Sequence, residues 1–133
     1  MEVYYGPSAY LKTLVGASTV EEVEYEPQVT DNTISLVADG VIIGYILYTP
    51  GDPIYIDYVA VHPHYARKGI CQRLVALLIS LHPEASSFYL ENVAGYAGCR
   101  CYLKAFYAHG YQLTGFTEPP DCEGLIDMLF VRT

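Results

Sequence analysis

The stretch from Ile54 to Leu81 constrains this chain more than any other, because its hydrophobic period changes there once and in one direction. Ile54 to Val61 is rich in β-branched and aromatic residues, the composition of a strand. From Ile70 onward the apolar residues Ile70, Leu74, Leu77, Leu78 and Leu81 recur at 4, 7, 8 and 11, which puts them on one broad helix face. Pro83 helps to end that helix. A strand joined to an amphipathic helix by a short loop must bury the helix stripe on a sheet, so the chain reads as a sheet flanked by helices.

The remaining segments fit around that unit. Glu2 to Tyr5 reads as a short strand, and Ser8 to Val15 and Ser18 to Tyr25 read as two short helices, the second with Ser18 and Glu21 at capping-box spacing. Thr33 to Ala38 and Val41 to Tyr48 are β-rich runs separated by Asp39-Gly40, the signal for a type I′ hairpin. Ser87 to Asn92 is a further strand. A loop with Gly95 and Gly98 follows, then a helix from about Cys99 to His109 stopped by Gly110. Tyr111 to Phe116 and Leu125 to Val131 are the last strands. The expected order is β-α-α-β-β-β-α-β-α-β-β, an α/β mixed sheet, and 133 residues leave room for one core, so residues 1–133 form a single domain.

Charge narrows the partners. With 7 basic and 15 acidic residues the net charge is −8, which argues against a nucleic-acid backbone as ligand. The start lacks the positive and apolar regions of a secretory leader, and the longest apolar run, Leu74 to Leu81, is well short of the roughly 18 residues of a membrane span. A cytoplasmic protein without membrane contact is the expectation. Cys71, Cys99, Cys101 and Cys122 show no C-x-x-C pattern, so free thiols and no metal are expected. His62 and His64 read as solvated loop histidines.

The loop between strand and helix carries the chemistry. Arg67-Lys68-Gly69 places two of the chain's seven cations just before a helix, where unpaired N–H groups and the positive end of the dipole attract an anion. Gly69 allows close backbone approach. An ordinary strand-to-helix turn with a solvated basic pair is the bland alternative.

In these residues the chain resembles the GCN5-related N-acetyltransferase (GNAT) superfamily, in which a strand ends in V-x-P and R/Q-x-x-G-x-G/A wraps the pyrophosphate of acetyl-coenzyme A. Val61-His62-Pro63 matches the first motif. Ala66-Arg67-Lys68-Gly69-Ile70-Cys71 matches the second, with Ala66 in place of Arg/Gln and Cys71 in place of Gly/Ala. Phe106-Tyr107-Ala108-His109-Gly110-Tyr111 looks like the family's F-Y-x-x-x-G-F with one residue missing.

The resemblance implies acetyl transfer from acetyl-coenzyme A to an amine in a ternary complex, with no metal. It implies cofactor contacts from Arg67, Lys68, Gly69, Ile70, Cys71 and Gln72, and a backbone N–H around Val59 to Val61 for the thioester oxygen. Asp57, the single charge in Ile54 to Val61, is the first candidate base. By alternation it shares a face with Tyr55, Val59 and Val61, and a solvated or lysine-paired carboxylate is the plain alternative. Glu91 on the next strand is the second candidate.

For the acid, matching the Phe-Tyr pair selects Tyr107, counting back from Gly110 selects Phe106, and Tyr102 lies one helical turn earlier. The acidic run Glu21 to Glu26, with Glu118, Asp121 and Glu123, suits a cationic small-molecule amine or a basic peptide as acceptor, or a solvated acidic surface. A homodimer stays open. The runner-up function is an idle coenzyme-A-binding sensor or scaffold on the same fold, and the third is an unrelated α/β ligand-binding domain.

Overall fold

The computed structural model describes residues 1–6, 30–117 and 125–133; for residues 92, 94–99, 115–117 and 125 it describes the backbone alone. The two helices expected before residue 26 and the acidic residues of 21–26 and 118–123 lie outside that set. Strand β1 (Glu2–Tyr5) pairs antiparallel with β2 (Thr33–Ala38), which turns into β3 (Val41–Thr49). Asp39 and Gly40 take φ values of 51° and 77°, the left-handed pair that a type I′ turn requires. The strands β4 (Ile54–Val61), β5 (Ser87–Ala94), β6 (Tyr111–Thr117) and β7 (Leu125–Arg132) follow. Among the described residues they form one seven-stranded sheet in the order β1-β2-β3-β4-β5-β7-β6. Only the β4–β5 pair is parallel, because the helix α1 (Ile70–Leu81) carries the chain back between them.

The second helix, α2 (Gly95–Ala108), starts one turn earlier than the glycines suggest. A bulge between Leu90 and Val93 lets β5 continue against β7 as far as Ala94, and the helix begins directly after it. Gly95 and Gly98 therefore stand in its first turn, where a glycine costs about 1 kcal/mol against alanine but does not break the helix.

Both helices bury their stripes on one face of the sheet. Ile70, Leu74, Val75 and Leu78 of α1 and Phe106 of α2 join Ile34, Ile46, Ile56, Phe88, Leu90 and Phe130 in one core. A smaller cluster of Val37, Ile42 and Tyr45 lies apart from it. Gly44 sets how closely α1 can approach. A Cβ there would lie 2.6 Å from Ile70 Cγ2, 3.2 Å from Leu74 Cδ1 and 3.3 Å from the Ala60 carbonyl oxygen. Gly44→Val is therefore expected to lift the start of α1 and to destabilise the fold by about 1–3 kcal/mol, read as a lower denaturant midpoint at unchanged slope.

Candidate active site

Two strands that run side by side and then separate create the site. The parallel pairing of β4 with β5 holds Ile54, Tyr55 and Ile56 against Phe88, Tyr89 and Leu90 and ends there. Both strands continue, β4 to Val61 and β5 to Ala94, each still paired on its outer side, to β3 and β7. Beyond Ile56 and Leu90 the inner edges of the two strands thus have no ladder pairing with each other. Val59 and Val61 lie on this part of β4, paired with Ile46 and Gly44 of β3.

Asp57 and Glu91 are the first residues past the parting point on their strands. Asp57 is the extra residue of a bulge, since Leu47 pairs with Tyr58 and Tyr48 with Ile56. Asp57 itself is exposed, so water reaches the carboxylate. The bulge corrects one expectation. The alternation resets: Tyr55 and Asp57 point away from the helices, whereas Val59 and Val61 pack against the helix-side core. A one-residue slip moves every later side chain to the other face. Thr49 Oγ1 donates to Asp57 Oδ2 at 2.6 Å and orients the carboxylate.

The loop after β4 brings Arg67 and Lys68 to the start of α1. His62 is buried, not solvated, and its Nδ1 accepts from the His64 backbone N–H at 3.2 Å, closing a short 3₁₀ turn over Pro63–Tyr65. Arg67 (φ 63°) and Gly69 (φ 77°) both take left-handed conformations, so the chain turns sharply on either side of Lys68 before α1 begins. Lys68 Nζ lies 5.4 Å from the Tyr65 ring centroid, a cation–π contact that holds it beside the loop. Arg67, Lys68 and Gly69 are exposed, Ile70 is buried under α1, and Cys71 and Gln72 are half-buried in its first turn.

The helix α2 distinguishes the three aromatic candidates. Phe106 is fully buried, stacked on Phe130 at 4.2 Å and packed against Phe88 at 5.2 Å; it is core. Tyr107 is 54% exposed and lies beside Gly110, Tyr111 and Thr133, at the end of the sheet where β5 begins. Tyr107, the tyrosine matched from the Phe-Tyr pair, thus lies on the outward face of α2, with Phe106 turned in. Tyr102, one turn nearer the open end, packs against the core, and burial pushes its phenol up to about 12.

Several residues of the site were not singled out by the sequence reading. Tyr55 and Tyr89 meet edge to face at 5.2 Å, and the Tyr89 hydroxyl donates to Asp127 Oδ2 at 3.3 Å. Burial raises the Tyr89 phenol, and the neighbouring Asp127 and Glu91 raise it further. With Tyr58, which packs at 6.0 Å from Tyr45, they form an aromatic and acidic floor around Asp57. Alternation along β4, β5 and β7 was the signal that could have found Tyr55, Tyr89 and Asp127, whereas Tyr58 reaches this face only through the bulge. The expectation of free thiols is corrected at two positions: Cys71 in α1 and Cys101 in α2 form a disulfide with Cα atoms 6.2 Å apart. Spacing conceals such a pair because the two helices meet only in the folded chain. No group of three or more potential metal ligands occurs among the described residues, and no helix among them is long and apolar enough to cross a membrane.

The described elements thus make a mixed α/β fold in which the parallel strands β4 and β5 part beside the start of α1. The chain belongs to the acetyltransferase (GNAT) family, whose model matches residues 12–111. Its fold is similar to that of the ribosomal-protein-S18-alanine N-acetyltransferase from Escherichia coli, with a TM-score of 0.61 or above in each of the following two cases: 0.63 there, at 14% identity over 98% of this chain and 92% of that one, and 0.62 for Arabidopsis thaliana Naa50 in complex with a bisubstrate analogue, at 13% identity over 99% and 97%. An aminoglycoside 6'-N-acetyltransferase complexed with coenzyme A has a TM-score of 0.60 at 14% identity, over 100% of this chain and 97% of that one. A comparison with curated protein sequences finds no match.

Proposed function

We propose that the protein transfers the acetyl group of acetyl-coenzyme A to a primary amine by direct attack in a ternary complex. The observation that carries this reading is the parting of β4 from β5 beside the open N-terminus of α1. In it, backbone N–H groups of residues 67–72 hold the pyrophosphate, with Arg67 and Lys68 adding charge, and a freed N–H around Val59 to Val61 stabilises the thioester oxygen. The cosubstrate supplies an activated acetyl group and a thiolate leaving group. An amine of ordinary pKa is neutral at pH 7 in only on the order of one part in a thousand. Asp57, oriented by Thr49 and open to water, takes the proton directly or through one water, with Glu91 opposite it as an alternative acceptor. Tyr102, its phenol pushed up to about 12, keeps its proton throughout the working pH range and offers a hydrogen bond to the leaving thiolate, which takes its proton from water. The test is thiol release from acetyl-coenzyme A with a panel of amines, together with acetylated product by mass spectrometry; binding of acetyl-coenzyme A without turnover of any amine would favour an idle binding module.

The acceptor is read as cationic. Asp57, Glu91 and Asp127 share the sheet face that carries Tyr55, Tyr58 and Tyr89, and the six described cations are in the α1 loop (Arg67, Lys68), the helices (Arg73, Arg100, Lys104) and at the far end of β7 (Arg132). Carboxylates and aromatic faces together attract an ammonium group. The similar folds named for acetylation of an alanine amine and of an aminoglycoside support an amine acceptor in general. With cofactor saturating, kcat/KM for a polyamine should fall more steeply between 0.1 and 1 M salt than that of a singly charged amine, because the Debye length contracts from about 10 Å to about 3 Å. Equal slopes would return these carboxylates to a solvated surface.

A further inference from the structure

The helix that would receive the pyrophosphate has an unusual start. Gly69, the residue before α1, has no side chain to cap the helix and no side-chain cap hydrogen bond is made. The first-turn N–H groups are thereby left open for a ligand, but an uncapped end also frays, since a capping side chain normally contributes about 1 kcal/mol there. In this chain the second residue of that turn is fastened covalently: Cys71 is bonded to Cys101 of α2, the residue before Tyr102. One bond thus joins the turn that meets the phosphates to the helix that carries the buried tyrosine.

We propose that the Cys71–Cys101 disulfide is a positioning strut for acetyl-coenzyme A that reduction releases, so that cofactor affinity responds to the thiol–disulfide balance around the protein. The inference rests on the coenzyme reading above. The strut stands in for a cap: it fixes the first turn without occupying the donors that the pyrophosphate uses. Low-molecular-weight thiols are the co-reactant. Two R–SH groups supply two electrons and two protons, the Sγ–Sγ bond breaks, Cys71 and Cys101 become thiols, and R–S–S–R leaves. The helix itself survives, because Ile70, Leu74, Val75, Leu78 and Ile79 stay buried on the sheet. The change is confined to the first turn and its register on α2.

The experiment measures acetyl-coenzyme A binding and steady-state kinetics for wild type, oxidised and reduced, and for the double variant Cys71→Ser/Cys101→Ser. Peptide mapping reports the state of Cys71 and Cys101 in each sample. Reduction should weaken binding by roughly 5-fold or more, raising KM for acetyl-coenzyme A while kcat at saturation changes less than about twofold. The double variant should bind like reduced wild type under both conditions. By reciprocity, bound acetyl-coenzyme A should make the disulfide harder to reduce by the same factor. A merely structural crosslink would lower Tm on reduction and leave KM unchanged, and that result overturns the proposal. So does a pair of thiols that stays free in the presence of a disulfide oxidant. Failure of the oxidised protein to bind acetyl-coenzyme A at all would be a different outcome, removing the coenzyme reading together with the strut.

Discussion

Replacing Asp57 by Asn should lower kcat with a good amine acceptor by roughly 10²-fold or more while leaving acetyl-coenzyme A affinity within about twofold. The substitution keeps size and shape, and the amide oxygen can still accept from the Thr49 hydroxyl that lies 2.6 Å from the carboxylate, so the bulge has no reason to refold. What is removed is the acceptor for the ammonium proton. Since Asp57 is exposed, its loss also carries no burial change that would alter stability. The measurement is the pH dependence of kcat in parent and variant: the acidic limb should shift or flatten in Asp57→Asn. Thr49→Val should give a smaller fall of the same kind, because it leaves the base but frees its orientation. If Asp57→Asn retains the parental pH profile and Glu91→Gln abolishes it, the base is Glu91; if neither changes it, both carboxylates serve only to attract the amine.

The parts of this molecule legible in the sequence are those with local causes. The hairpin followed from Asp39-Gly40, and α1 from an apolar stripe between a glycine and a proline. Each is decided by neighbours in the chain. What escaped depends on partners brought together by folding. The bulge at Asp57 arises from the pairing of β3 with β4, and strict alternation along β4 therefore put Val59 and Val61 on the wrong face. The missing residue between Phe106 and Gly110 left three aromatics as candidates for the acid. Packing places them differently: Phe106 fills the space between Phe88 and Phe130, which turns its neighbour Tyr107 outward. The bond between Cys71 and Cys101 joins two helices separated by β5, and no spacing rule reaches across that distance.

The second large effect is expected at Gly69, where valine should weaken acetyl-coenzyme A binding by roughly 10- to 100-fold, or about 1.4–2.8 kcal/mol. Two costs act there and can be separated. A β-branched residue at φ 77° is strained by roughly 1–2 kcal/mol or more, and its side chain would project into the space that a pyrophosphate approaching the first turn of α1 must enter. Among the described residues no atom lies within 4 Å of a Cβ at this position, so no clash with them complicates the result. Gly40 in the β2–β3 turn provides the control, because it has the same φ of 77° and the same open surroundings but lies in the hairpin turn. Gly40→Val should reproduce the loss of stability and leave cofactor affinity intact. Gly69→Val should show both. Titration of acetyl-coenzyme A into the two folded variants by calorimetry, with denaturant melts alongside, tests the distinction. Parental affinity in Gly69→Val would show that the ligand does not approach this turn, and an equal loss in both variants would assign the effect to stability rather than to contact.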